Sequence, residues 1–273
     1  MLEEKINVIQ EQKYGNMIVQ ILEIKKLEGA TNLQSAMQLF YTSQSGASMK
    51  MIKIILNGGS VKTESGALYY MKGKIEADAQ LGGVVGVLGK MIKSSMNKES
   101  TIKPVYKGYG EIYLEPTFQH YFMINLEQDS VIVDKGLFYC CSGDMKVEPV
   151  AQKNASSALM GGEGFFQTKV SGTGVIVLAI PVPENELQEI SLSAGEELKV
   201  DGNFALARTS GVNFSVTKSD KSILGSLMNG EGLLQTFKGE GIVWIAPTAP
   251  VYEKMRLGTE ALNHNQKSGN NRE

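Results

Sequence analysis

The sequence predicts an all-β protein built from three related modules with short helical inserts. Runs of β-branched and aromatic residues recur between turn signals rich in glycine and asparagine, a pattern typical of strands. A Met-x-x-Glu stretch recurs at nearly equal intervals, beginning at Met96, Met160 and Met228. Each copy precedes a β-like run, a Gly-x-Gly turn, an apolar run and a proline. Recurrence of the whole arrangement indicates internal repeats.

Composition and length are those of an ordinary folded chain. Of 273 residues, 42% are hydrophobic and 21% are charged, and this length fits one or two domains. The formal net charge is −2. Basic residues form no long run, whereas a dedicated nucleic-acid binder concentrates them on one face. We therefore expect no nucleic-acid partner.

The first strands are predicted in the N-terminal quarter of the chain. We expect an N-terminal extension over residues 1–38 that is only partly ordered, with a strand at residues 18–24. Residues 51–56 are β-rich and run into Asn57-Gly58-Gly59, which predicts a turn after them.

One hairpin is expected in each module, because a turn signal separates two short β-rich runs. The paired runs are residues 61–63 with 67–71, residues 131–133 with 137–139, and residues 198–200 with 204–207.

Short helical inserts are predicted before the Met-x-x-Glu stretches. In the segment from Leu81 to Met96, Val85, Leu88 and Ile92 recur at steps of three and four, as on one face of a helix. Such an apolar stripe usually packs on its own sheet or on a neighbouring subunit. The alternative is contact with a protein partner or a membrane surface through this segment.

The closing strand of each module gives the clearest β pattern. Residues 111–114 alternate between apolar and polar, which indicates one wet face. Residues 175–180 are apolar throughout, so we expect cover on both faces. Residues 242–246 form the third closing run. Proline cannot donate to a sheet, so Pro116, Pro181 and Pro247 are expected strand ends.

These patterns place a single β domain at residues 39–252, followed by a polar tail at 253–273 that we expect to be disordered. The three modules are expected at residues 39–117, 118–183 and 184–252.

The order and spacing of these motifs resemble those of the altered-inheritance-of-mitochondria family. The resemblance covers about residues 50–250. It is carried by residues 60–71, by Met160-Gly161-Gly162-Glu163-Gly164-Phe165-Phe166, and by Gly230-Glu231-Gly232 with Gly239-Glu240-Gly241 through Trp244.

The resemblance implies a bacterial member with a double-stranded β-helix or β-sandwich-like body, made by internal duplication and often assembled into oligomers. The fold is shared with the tryptophan RNA-binding attenuation protein, but binding of RNA or tryptophan is not inherited with a fold. Eukaryotic members are linked to organisation of the mitochondrial inner membrane. The family implies no catalytic residue for this chain.

Residues able to support catalysis are few. A metal-dependent oxygenase site needs two or more histidines with a carboxylate, and the chain has only His120 and, in the tail, His264. Cys140 and Cys141 would need a base or a positive field to act as nucleophiles, and they are read as small strand residues. We expect no enzymatic activity, no metal and no cofactor.

Glu99, Glu163 and Glu231 of the recurring stretches are the candidate site residues. As a ring of carboxylates they would bind a cation or a ligand amine. As structural groups they would accept hydrogen bonds from backbone amides and fix their loops. Repetition favours the structural reading.

Two functions are carried forward. The first is a non-enzymatic binding or assembly protein, scaffold-like and homo-oligomeric. The alternative is a small-molecule or carbohydrate-binding sensor that uses a cleft between β modules. Three features predict a cytoplasmic location. The N-terminus is charged and lacks the apolar core of a signal peptide. No apolar run approaches the length of about 18 residues that a membrane span needs, and the two adjacent cysteines form no disulfide framework.

Overall fold

A computed structural model describes residues 5–77, 103–151, 166–218 and 233–256. In this part of the chain, fifteen β-strands accompany two α-helices, so the predicted all-β class is confirmed. The chain divides into two compact units. The first holds the described residues up to Ile180, and the second holds those from Pro181 onwards.

The first unit is an antiparallel β-structure with one helix. Its elements are β1 (Ile6–Tyr14), β2 (Met17–Ile24), α1 (Leu33–Gln44), β3 (Met49–Thr63), β4 (Leu68–Ala77), β5 (Val105–Leu114), β6 (His120–Val133), β7 (Phe138–Ser142), β8 (Lys146–Ala151) and β9 (Phe166–Ile180). β3 pairs with β2, β5 and β7 along successive parts of its length. β9 pairs with β6, β7 and β8. The strand predicted at residues 18–24 is confirmed as β2, which forms a hairpin with β1.

The second unit contains two small antiparallel sheets. Its strands are β10 (Gln188–Leu192), β11 (Glu197–Asp201), β12 (Ala205–Thr209), β13 (Val212–Lys218), β14 (Leu233–Gly239) and β15 (Gly241–Ile245). β15 lies between β10 and β12, and β14 lies between β11 and β13. A short 3-10 helix, Glu184–Glu186, precedes β10, and an α-helix (α2) covers residues 249–256.

The expected Gly-x-Gly turns lie in extended structure instead. The glycines concerned are Gly108 and Gly110 within β5, Gly172 and Gly174 within β9, and Gly239 and Gly241 around the one-residue break between β14 and β15. Their φ angles lie between 124° and 149°. A Cβ on Gly110 would lie 2.1 Å from the carbonyl oxygen of Lys72. Glycine is needed there because the neighbouring strand passes too close for a side chain.

The turn predicted at Asn57-Gly58-Gly59 is also wrong, because β3 continues through these residues. The register against β5 shifts between Asn57 and Gly59, opposite Gly108. β6 shifts in the same way between Leu126 and Asp129, opposite Gly172 of β9. A bulge of this kind bends a strand without ending it, so a glycine-rich stretch that reads as a turn becomes a bend in a long strand.

The three predicted hairpins are wrong for a related reason. The strands of each expected pair exist, but they do not pair with each other. In the first two segments both strands pair with the closing strand, which lies between them: β3 and β4 pair with β5, and β6 and β7 pair with β9. In the third segment β11 pairs with β14 in one sheet and β12 pairs with β15 in the other. Gly66, Gly136 and Gly202 do have the positive φ expected of turn glycines. The turns were therefore located correctly, and the strand pairing was not.

Burial confirms the predictions made for the closing strands. In β5, Ile112 and Leu114 are fully buried, while Glu111 and Tyr113 are only half-buried. Residues 175–180 of β9 are all buried, as a strand covered on both faces requires. A buried hydrophobic cluster of the first unit joins β2, β3, β5, β6, β7 and β9. Each fully buried Val, Leu or Ile contributes about 1.5–3 kcal/mol from burial.

The predicted helical inserts lie outside the described residues. The internal repeats and the double-stranded β-helix stay predictions.

A candidate interaction edge and a candidate binding cleft

The residues selected from the sequence as candidate sites divide into two groups. Glu99, Glu163 and Glu231 lie outside the described residues, as does the segment from Leu81 to Met96. The histidine and cysteines that were weighed as catalytic groups are placed by the structure.

Cys140 and Cys141 lie on β7 and are both fully buried and unbonded to other cysteines. Burial raises the pKa of Cys141 to about 12 and that of Cys140 well above its usual value. Thiols in this environment stay protonated at neutral pH and are poor nucleophiles. His120 is the first residue of β6 and is half-buried. Within the described ranges, no group of three or more His, Cys, Asp or Glu residues is arranged to hold a metal ion.

The most exposed strand of the first unit is β4. Among the described strands it pairs only with β5, so no described strand pairs with its other side. None of its ten residues is buried, and Tyr69, Tyr70 and Met71 are 59%, 47% and 44% exposed. Adjacent strand residues point to opposite faces, so apolar side chains are exposed on both faces of this edge. The sequence pattern predicts β4 as one strand of a hairpin and does not indicate that one of its sides is exposed.

The start of β4 is held rigid by its neighbour β5. The ring of Tyr70 stacks on that of Tyr113, with 4.3 Å between centroids and 16° between planes. The Tyr113 hydroxyl donates to Glu111 over 3.1 Å, and the Lys53 ammonium lies 2.6 Å from the same carboxylate. The hydrogen bond from Lys53 lowers the pKa of Glu111. The tyrosines at this edge are therefore supported by a half-buried polar network.

Helix α1 is a second exposed apolar surface of the same unit. None of its twelve residues is buried. Leu33, Met37, Phe40 and Tyr41 are between 52% and 78% exposed, and steps of four, three and one place them on one face. A capping box between Asn32 and Ser35 caps the N-terminus of the helix, and the helix contains no charged residue. This helix was not predicted: it spans the boundary between the expected N-terminal extension, residues 1–38, and the β domain expected from residue 39.

A cleft of about 530 Å³ opens between three turns of the first unit. One wall is the β1–β2 turn at Asn16, another is the β3 bulge at Gly59 and Ser60, and a third is the β7–β8 turn at Gly143 and Asp144. Ser60 belongs to the predicted first module and Asp144 to the second.

Backbone hydrogen bonds hold the three walls together. The Asn57 amide donates to the Asn16 carbonyl and the Gly143 amide donates to the Ser60 carbonyl, each over 2.9 Å. A Cβ on Gly143 would lie 2.1 Å from the Ser60 hydroxyl oxygen, so the close approach of these turns requires glycine.

Among the described residues, no helix is both long enough and apolar enough to cross a bilayer.

Comparison with known proteins gives a consistent result. Residues 41–248 match the family model described as mitochondrial biogenesis AIM24. An uncharacterized protein of Streptococcus pyogenes serotype M6 is 23% identical over 227 residues, which are 79% of this chain and 89% of that protein.

A solved structure shares the fold. The crystal structure of a Streptococcus pyogenes protein superposes with a TM-score of 0.56 and 20% identity, covering 78% of this chain and 94% of that one. The family resemblance drawn from the glycine-glutamate motifs is thus confirmed, and related proteins occur in bacteria.

Proposed function

This chain belongs to the mitochondrial biogenesis AIM24 family, and we propose that it is a non-enzymatic, scaffold-like assembly protein that binds further copies of itself. The observation that carries this proposal is the side of β4 with which no described strand pairs. An exposed strand side that carries aromatic side chains on both faces is a template for another strand.

The distribution of charge on β4 indicates where pairing takes place. Lys72 and Lys74 in its second half are charges of the kind that protect natural edges from unwanted association. The first half, from Leu68 to Met71, carries no charge. The proposed contact is therefore centred on residues 68–71.

A second copy of the chain is the proposed occupant, because the same unit carries a further free edge. β1 is nine residues long and pairs only with β2 among the described strands. Val8 and Ile9 on this strand are 52% and 47% exposed. Each copy thus offers two long, exposed edges. The uncharged stripe of α1 adds Met, Phe and Tyr, the residue types enriched in protein interfaces.

The test is the mass in solution of variants at the edge. Tyr69→Lys with Met71→Lys places two ammonium groups on one face of β4. We expect wild type to sediment as an oligomer and the double variant to fall to the monomer mass of 29.7 kDa, with unchanged circular dichroism. Phe118→Lys, which changes a 49% exposed residue of the same unit that belongs to neither β4 nor β1, is the matched control.

A wild-type protein that stays monomeric at high concentration contradicts the proposal. So does a double variant that keeps the wild-type mass. Contact with a protein partner or a membrane surface through the segment from Leu81 to Met96 stays a prediction.

A small-molecule sensor is the second candidate function, and the cleft between the turns at Asn16, Ser60 and Asp144 favours it. Its volume of about 530 Å³ lies in the range of ligand sites, about 300–1,000 Å³. A ligand that binds only the folded protein raises the unfolding temperature. A thermal-shift screen with a metabolite panel tests this function, and a panel without any hit removes it.

A further inference from the structure

The cleft of the first unit has polar groups that are not used by the protein itself. The side chains of Asn16, Ser60 and Asp144 make no hydrogen bond or ion pair with another described residue. Unpaired polar groups that converge on one concave surface are the usual means by which a site orients a ligand.

The chemistry of these groups defines what they can recognise. An ionised Asp144 only accepts hydrogen bonds, whereas the Asn16 amide and the Ser60 hydroxyl both donate and accept. A complementary ligand must therefore present several donors and acceptors close together. Adjacent hydroxyl groups meet this requirement, since each hydroxyl both donates and accepts.

The charge balance of the cleft favours a neutral ligand. Lys107 and Asp144 are the two charged residues that line it, and they have opposite signs. Because the lining carries one charge of each sign, it favours neither an anion nor a cation over a neutral ligand. The ring of Tyr14, which is 38% exposed at the rim, offers an apolar face.

The walls are fixed before any ligand arrives. The two backbone hydrogen bonds of 2.9 Å and the close approach of Gly143 to Ser60 tie the three turns together. A site that is already formed loses less conformational entropy on binding. Solvent-exposed walls also mean that affinity comes from hydrogen bonds more than from apolar burial.

From these observations we propose that the cleft binds a neutral polyhydroxy ligand, a mono- or disaccharide, through Asn16, Ser60 and Asp144, with Tyr14 against the apolar face of the sugar ring. This inference rests on the sensor function and names its ligand class. It is independent of assembly through β4.

The test uses the full chain and two sets of probes. The neutral set is glucose, N-acetylglucosamine and cellobiose, and the charged set is glucose 6-phosphate, glutamate and spermidine. Binding is measured by calorimetry and by saturation-transfer NMR. We expect a member of the neutral set to bind, and we expect Asp144→Ala to weaken it by about tenfold or more, as the loss of a charged hydrogen bond does.

The matched control is Asp201→Ala, an exposed aspartate of the second unit. We expect it to leave sugar binding unchanged, and neither substitution to alter the unfolding temperature without ligand. Sugar binding that Asp144→Ala leaves intact places the sugar elsewhere and overturns the proposal.

Binding of the charged set alone overturns the sugar assignment and leaves the sensor function standing. Absence of binding in both sets, together with an empty metabolite screen, overturns both. The two failures are therefore distinguishable.

Discussion

Gly110 illustrates how a single residue fixes the course of a closing strand in this protein. Its φ of 149° and the 2.1 Å between an added Cβ and the Lys72 carbonyl oxygen leave no room for a side chain. We expect Gly110→Ala to lower the free energy of unfolding by about 3 kcal/mol, because strain in φ and a backbone clash both contribute. Chemical denaturation measures the change.

Gly195→Ala separates the two causes. Gly195 also has a positive φ, 89°, but an added Cβ meets nothing within 4 Å. Only conformational strain remains there, so we expect a loss of about 1 kcal/mol. Equal losses at the two positions would mean that the close approach of β4 and β5 is not the reason for the glycine.

The buried thiols of β7 make stability depend on alkaline pH. Burial raises the pKa of Cys141 to about 12 and that of Cys140 further above its ordinary value, while an unfolded thiol titrates near about 8.5. The folded state therefore retains protons that the unfolded state loses. The stability contribution is complete below pH 8.5 and is lost as pH rises, by about 1.4 kcal/mol per pH unit for each thiol.

Denaturation curves between pH 8 and pH 10 check this expectation. The buried Tyr121 and Tyr139, whose pKa values burial also raises, titrate in the unfolded state at about pH 10, so they add to the loss of stability at the upper end of this window equally in wild type and variant. We expect the wild type to lose stability steeply and the double variant Cys140→Ala with Cys141→Ala to lose much less. Equal slopes would show that the thiols do not control the alkaline limit.

Among the elements, α1 depends on local interactions more than on packing. The Asn32 side chain accepts from the Ser35 amide over 2.8 Å, and the Ser35 hydroxyl accepts from the Asn32 amide over 3.1 Å. We expect Asn32→Ala to cost about 1 kcal/mol of helix stability. Because no residue of α1 is buried, the result should be faster amide exchange within α1 at an unchanged global unfolding temperature.

Gln34→Ala is the control for this change, since Gln34 is exposed and lies outside the cap. Its amide exchange should match that of wild type. Faster exchange throughout the first unit after Asn32→Ala would show instead that α1 supports the β-structure.

Most strands of this fold can be predicted from local pattern, while their pairing cannot. The apolar run at residues 175–180 indicates a strand covered on both faces because composition reports burial directly. By contrast, the turn at Gly136 gives no information on whether β9 lies between β6 and β7. That arrangement depends on contacts between residues far apart in sequence, which no local window contains. The bulge at Asn57 and Gly59 was misread for the same reason.

At the scale of the whole molecule, the candidate cleft could not be predicted from sequence. Asn16, Ser60 and Asp144 come from three separate turns, and only the pairing of β2, β3 and β7 brings them together. None of the residues that line it was singled out from the sequence as a site residue. Neither the edge at β4 nor the stripe on α1 was anticipated, because exposure is a property of the complete fold.

The proposed assembly makes thermal stability depend on protein concentration. If the edge of β4 is paired only in the folded oligomer, mass action favours folding as concentration rises. We expect the unfolding temperature of wild type to increase steadily from about 1 µM to 100 µM, by several degrees. Tyr69→Lys with Met71→Lys should give one lower unfolding temperature at all concentrations, because a monomer that cannot associate is not stabilised by further copies.

Phe118→Lys is the control, and its unfolding temperature should rise with concentration as that of wild type does. A wild-type unfolding temperature that does not change across this range would mean that the exposed edges of β4 and β1 are not joined in solution, and the assembly function would then be rejected.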